Sequence, residues 1–177
     1  AGFIAFECKN RADSGVVVKA LQQSSHSVAM VTGDAPLTAL HVAVTLGICA
    51  KETTALALTY ETTATGPKCK WVGAVGEARF TVSEPFSSPG VEELAKRYEL
   101  ITTEDALNAA AEESGGEVWK EVDVIHVFAR MSPQGKANII RMIQLHKEEQ
   151  VLMCGDGGND VGALKQADCG MVCLCAL

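Results

Sequence analysis

Residues 151–164, VLMCGDGGNDVGAL, limit what this chain can become more than any other stretch. Val151, Leu152, Met153 and Cys154 form an apolar run of the length of a buried parallel strand. Three glycines around Asp156 then break it, letting the backbone turn tightly and bring its N–H groups close to a ligand. Asn159 is a good helix N-cap and residues 161–167 have helix-compatible spacing. The spacing therefore places Asp156 at the carboxyl end of a strand, just before a helix N-terminus. Ligands bind at that edge of open parallel sheets. A carboxylate beside donors that favour phosphate is what a Mg²⁺–phosphate site requires.

The same unit recurs. Residues 27–31 (SVAMV) read as a strand ending in Thr32-Gly33-Asp34, followed by Pro36 at a first helical position. Leu37, Leu40, His41, Val44 and Leu46 give that helix an apolar face, and Gly47 stops it. Upstream, residues 2–7 (GFIAFE) read as a strand. Asp13 is placed to cap a helix to about Gln23 with Val16, Val17, Ala20 and Leu21 on one face. Downstream, residues 124–128 (VIHVF) read as a strand and Pro133 opens a helix to about His146, with Ile139, Ile140, Met142 and Ile143 inward. Residues 169–174 read as the last strand. Strand and helix alternate as in a doubly wound, mostly parallel α/β sheet.

Between the two ends the character changes. Residues 55–59 read as a strand, 62–67 as a turn, 69–75 and 78–82 as a hairpin about Gly76, and 83–90 as loop. Residues 91–98 and 103–114 read as helices, the second started by Thr102 or Thr103. Nothing in this middle part looks chemical. The expected organisation is a first core part over 1–50, a small α+β elaboration over 51–122 and a second core part over 123–177.

Composition narrows the function. The net charge is −7 with no Lys/Arg run, which argues against nucleic acid and anionic lipid as partners. No uncharged apolar run reaches the roughly 18 residues of a membrane span. Seven cysteines form no zinc pattern. Cys154, Cys169, Cys173 and Cys175 lie in or near apolar runs and are expected to be buried, reduced thiols. The four histidines show no metal spacing.

Asp34 and Asp156 each follow a strand and precede a helix, so parallel strands bring both acids to one edge, where helix N-termini add positive partial charge. Lys136, early in its helix, can reach that edge and neutralise a phosphoryl oxygen. Arg130, two residues past its strand, can meet a nucleotide or an acidic neighbour.

The strings MVTGDAPLTALHVAVTLGI (30–48), VFARMSPQGK (127–136) and MCGDGGNDVGALKQADCGMV (153–172) resemble the motifs of the phosphorylation domain and hinge of P-type ATPases, members of the haloacid-dehalogenase superfamily. FIAFECKNRADS, QQSSHSVAMVTGD and LMCGDGGNDVGALK are most similar to the type V pumps of the endoplasmic reticulum, subgroup A. The resemblance is strong over 1–50 and 120–177 and weak between. It implies a haloacid-dehalogenase-like sheet and roles for eight residues. Thr32, with the Gly33 amide, binds the transferred phosphoryl group. Asp34 organises the nucleotide and phosphate side. Arg130 lies towards the ribose. Lys136 contacts the phosphoryl group. Asp156 binds Mg²⁺, Asn159 contacts phosphoryl oxygens, and Asp160 holds the loop and the Lys136 ammonium.

Two positions depart from the family pattern. Ala35 stands where Asn follows TGD, and Gly158 stands where Thr completes GDGTND; both losses remove side-chain hydrogen bonds. The family's nucleophile, the Asp of DKTGT, has no counterpart in this sequence. The resemblance therefore implies the later part of a phosphorylation domain, lacking the central nucleophile strand and inactive alone. It would work with ATP, Mg²⁺ and the nucleotide-binding, actuator and transmembrane domains of one polypeptide, at the cytosolic face of the endoplasmic reticulum, without touching the membrane itself. The pump would be a transporter or a transmembrane-helix dislocase. Two alternatives stand beside this. A free-standing phosphatase of the superfamily needs a D-x-D that residues 2–11 do not offer. A non-catalytic regulatory module would have lost phosphate-site residues, as Ala35 and Gly158 hint.

Overall fold

The computed structural model describes residues 10–50, 55–74 and 83–173. The expected strands at 2–7 and 78–82, with Leu174 and Cys175, lie outside them. The described chain forms helix α1 (Ser14–Gln23), strand β1 (Met30–Val31), α2 (Pro36–Leu46), β2 (Ala55–Thr63), β3 (Gly66–Gly73) and β4 (Ser83–Pro85). Then come α3 (Val91–Ala95), β5 (Glu99–Thr103), α4 (Glu104–Glu113), β6 (Val127–Ala129), α5 (Pro133–Lys147), β7 (Leu152–Gly155), α6 (Val161–Gln166) and β8 (Cys169–Val172). Short 3-10 turns precede α3, β6 and α6.

The sheet order is β1-β6-β5-β2-β3-β4, with β7 and β8 forming a separate parallel pair. The ladders β1–β6, β6–β5 and β5–β2 are parallel; β2–β3 and β3–β4 are antiparallel. This is an α/β fold with a mostly parallel sheet, as the strand–helix alternation implies. Among the described residues no ladder joins β1 to β7.

Alternate residues of the middle strands face opposite layers. Phe128 and Leu100 pack with Leu56, Trp71, Leu107 and Ile139 on one face. Val127, Ala129 and Ile101 pack with Ala39, Leu40 and Ala43 of α2 on the other. With both faces covered, a strand such as ELITT carries no polar alternation. That is why β5 escapes a reading of the sequence, although it sits between β6 and β2 and fixes their spacing.

Some local expectations hold and several need correction. The turn expected over 62–67 is met, with Thr63 pairing to Gly66 across two residues, and β3 and β4 pair antiparallel as the second expected hairpin requires, although Gly76 lies outside the described residues. Gly66 has φ +114, and the Thr63 hydroxyl donates to the Gly66 carbonyl at 2.7 Å. Residues 83–85 form a short edge strand rather than loop. Asp13 stands at the α1 N-cap, but its carboxylate is taken by the Arg11 guanidinium at 2.8 Å and caps nothing. The apolar face expected on α1 is uncovered, with Val16 70% exposed. On α2 the buried residues are Ala39, Leu40 and Ala43, while Leu37 faces out. Pro36 opens that helix and Gly47, with φ +79, closes it as expected. Asp160, not Asn159, occupies the N-cap position of α6.

The β7–α6–β8 unit docks through α5. Asp168 Oδ2 accepts from Gln144 Nε2 and from the Val151 N–H, both at 2.8 Å. Gln144 and Gln166 exchange two further hydrogen bonds.

Candidate functional site

Parallel pairing of Met30 with Val127 and Val31 with Phe128 brings the carboxyl ends of β1 and β6 side by side. The chain then crosses between their loops. Met131 N–H donates to the Thr32 carbonyl and Arg130 N–H to the Asp34 carbonyl, both at 2.9 Å. Arg130 holds φ +49, a left-handed conformation uncommon for a non-glycine residue, which turns the chain towards Ser132. Thr32, Gly33, Asp34 and Arg130 thus share one loop cluster. The Thr32 hydroxyl oxygen accepts from the Asp34 N–H at 3.1 Å, which leaves its hydrogen free to donate. The first turn of α2 has no side-chain cap, because Ala35 stands at the cap position.

The helix carrying Lys136 is held at its N-terminus from an unexpected direction. Ser132 Oγ accepts from the Gly135 N–H at 3.0 Å. Glu104, the first residue of α4, in turn accepts from Ser132 N–H at 2.6 Å and Ser132 Oγ at 2.9 Å. The Glu104 carboxylate lies so close to Gly135 that a Cβ there would meet it at 2.6 Å. Sequence reasoning missed Glu104. Pro133 marks the start of the helix, but the carboxylate that binds Ser132 lies 28 residues away and leaves no local signal.

From the first turn of α5, Lys136 Nζ reaches Asp160 Oδ1 at 2.7 Å, both side chains being almost covered. The hydrogen bond from Lys136 holds the Asp160 carboxyl below its ordinary range, against the opposing cost of burial. Gly155 makes room for this pair, since a Cβ on it would lie 2.7 Å from the Asp160 carboxylate. The Asp160 N–H donates to the Gly157 carbonyl at 3.0 Å, so the residue also helps shape the loop that carries Asp156.

Asp156 and Asn159 are exposed, and the Asp156 carboxylate makes no hydrogen bond or ion pair with a described residue. Among the described residues no group of three His, Cys, Asp or Glu could hold a metal. The single free carboxylate of Asp156 fits Mg²⁺, which takes one or two carboxylates and fills its shell with water and phosphate oxygens. Six of the eight residues therefore fall into two groups, one after β1 and β6 and one joining α5 to the turn after β7. Asp156 and Asn159 stand free on that turn.

The cysteine expectation fails for this unit. Cys154, Cys169 and Cys173 are exposed, whereas Cys49 and Cys69 are buried. Helix α6 covers the face of the β7–β8 pair that carries Gly170, whose Cβ would run into the Leu164 carbonyl. The thiols lie on the opposite face. Among the described residues no helix is long and apolar enough to cross a membrane.

No protein-family model matches the chain. It is 36% identical over 98% of its length to a probable manganese-transporting ATPase of Arabidopsis thaliana. It is 37% identical over 98% to an endoplasmic reticulum transmembrane helix translocase of Saccharomyces cerevisiae. A vacuolar cation-transporting ATPase of the same yeast is 30% identical over 96%. The chain spans about 14% of the length of the first two. The aligned residues include both sheets and every loop described above, and by this likeness the chain belongs to the P-type ATPases, as a fragment of the type V branch.

Proposed function

We propose that this chain is the later part of the cytosolic phosphorylation domain of an ATP-driven pump, a transporter or a transmembrane-helix dislocase of the endoplasmic reticulum. The observation that carries the reading is the Lys136–Asp160 pair, a nearly covered ammonium held on the same turn that presents a free carboxylate. Of the three N–H bonds of Lys136, Asp160 engages one and two remain for phosphoryl oxygens. The Thr32 hydroxyl and Gly33 amide bind the same group from the β1 side, and Asn159 from the β7 side. Asp34 and Arg130 order the nucleotide side. Asp156 holds Mg²⁺, which neutralises charge on the phosphoryl oxygens.

The nucleophilic aspartate comes from a part of the polypeptide outside this sequence, which contains no DKTGT string. Fixed donors around the phosphoryl group lower the barrier because they need no reorganisation as charge develops. The 1–50 and 123–177 parts supply these donors, and the 51–122 part supports them.

The test is acid-stable phosphoprotein labelling of the full-length protein with ATP. Asp156→Asn is expected to abolish labelling, with a loss of several kcal/mol of transition-state stabilisation by order of magnitude. Normal labelling of that variant removes Asp156 from the site.

A further inference from the structure

Two cysteines that the proposed reaction does not use lie in contact. Cys154 Sγ and Cys173 Sγ are 3.2 Å apart, both are exposed, and neither is in a disulfide. Their backbones are fixed independently of the sulfurs. Cys154 lies in β7 opposite Met171 of β8, and Cys173 follows β8 with its N–H on the Gly155 carbonyl at 2.9 Å. Cys173 is thus two positions beyond the residue opposite Cys154, on the same face of the pair and diagonal to it. Cys169 shares that face at the other end of β8, opposite Leu152, and makes no sulfur contact with Cys154.

We propose that Cys154 and Cys173 are a dithiol modification site that closes to an intramolecular disulfide by exchange with a low-molecular-weight disulfide. One cysteine thiolate attacks a sulfur of the reagent, forming a mixed disulfide and releasing one small thiolate. The second cysteine thiolate then attacks the protein-bound sulfur, forms the Cys154–Cys173 bond and releases the second small thiolate. The protein loses two hydrogens and two electrons; the reagent becomes two thiols. The sulfurs lie 3.2 Å apart and must close to a bond of about 2.05 Å; because the two cysteines are diagonal on the ladder, closing the bond also draws the end of β8 towards β7. The second step is intramolecular between positioned groups, so the mixed disulfide does not accumulate.

The ring that closes encloses Gly155, Asp156, Asn159, Asp160 and all of α6. The site is therefore a staple around the whole turn, whatever chemistry the turn performs.

The experiment uses the full-length polypeptide, purified reduced and then treated with glutathione disulfide. Peptide mapping without reduction is expected to find the Cys154 peptide joined to the Cys173 peptide, exceeding either glutathione adduct by roughly tenfold. Dithiothreitol should reverse it. Cys169→Ser should leave the bridge intact, while Cys154→Ser and Cys173→Ser should each leave a glutathione adduct on the remaining thiol. Separate adducts on both cysteines of the unsubstituted protein, or a bridge from Cys154 to Cys169, overturn the proposal. Because that map is made on the unsubstituted protein, misfolding of a variant cannot obscure the result.

Discussion

Lys136 and Asp160, 24 residues apart in sequence, meet at 2.7 Å and tie the first turn of α5 to the turn after β7. Each is nearly covered, so each is the other's principal compensation for lost water. Lys136→Met is expected to destabilise the chain by about 2–3 kcal/mol, because it strands the Asp160 carboxylate. A Lys136→Met/Asp160→Leu double variant should regain part of that loss. Urea midpoints measure both. An unmoved midpoint for the single variant means that water already screens the pair.

The same pair sets an acid limit. The Asp160 carboxyl is held below its ordinary value of 3.8, chiefly by the Lys136 hydrogen bond. A carboxyl lowered on folding binds fewer protons in the native chain than in the unfolded one. Its stabilisation is complete above the ordinary value and disappears as pH falls through the lowered one. The stability gap between the natural chain and Asp160→Asn should therefore be constant at neutral pH and close below pH 3.8. A gap that closes between pH 6 and 8 points to a different titrating group (on the order of a histidine range).

Two glycines of the GDGG turn should respond in opposite ways to a side chain. Gly155→Ala places a methyl 2.7 Å from the Asp160 carboxylate, whereas a Cβ on Gly158 meets nothing within 4 Å. Gly155→Ala is expected to cost about 1–3 kcal/mol through overpacking. Gly158→Thr, which supplies the residue usual in GDGTND, should stay within about 0.5 kcal/mol. Thermal or urea unfolding of the two variants separates these outcomes, and equal losses would contradict the turn geometry.

The isolated chain should hydrolyse neither ATP nor a generic phosphate ester with Mg²⁺ present. Aspartyl-phosphate chemistry cannot begin without its nucleophile, and the sequence has no DKTGT aspartate. Turnover that persists through purification and vanishes in Asp156→Ala would show that a second nucleophile is at work.

Much of the frame was legible because strong local signals coincide. Pro36 and Gly47 bound a helix by chemistry that acts within a few residues, and Thr103 caps α4 by accepting from the Ala106 N–H. The glycine turn after an apolar run likewise declares the edge of β7. The Lys136–Asp160 contact was reachable only through family resemblance, since nothing local says that two residues so far apart will meet. Strand β5 was hidden for another reason. A strand buried on both faces loses its alternation. The exposed thiols were misplaced because apolar spacing identifies a strand but not which of its faces will be covered.

The Glu104 carboxylate occupies the space beside Gly135 and receives both Ser132 donors. For a drifting lineage, the three positions form one inherited unit with a preferred order of change. A side chain at position 135 is blocked while Glu104 remains, and losing Glu104 first leaves the Ser132 N–H unanswered. Accommodating both changes requires passing through a weakened intermediate. The segment with no chemistry of its own is thereby bound to the history of the lysine's helix, and transplanting either between related pumps should succeed only when both travel together.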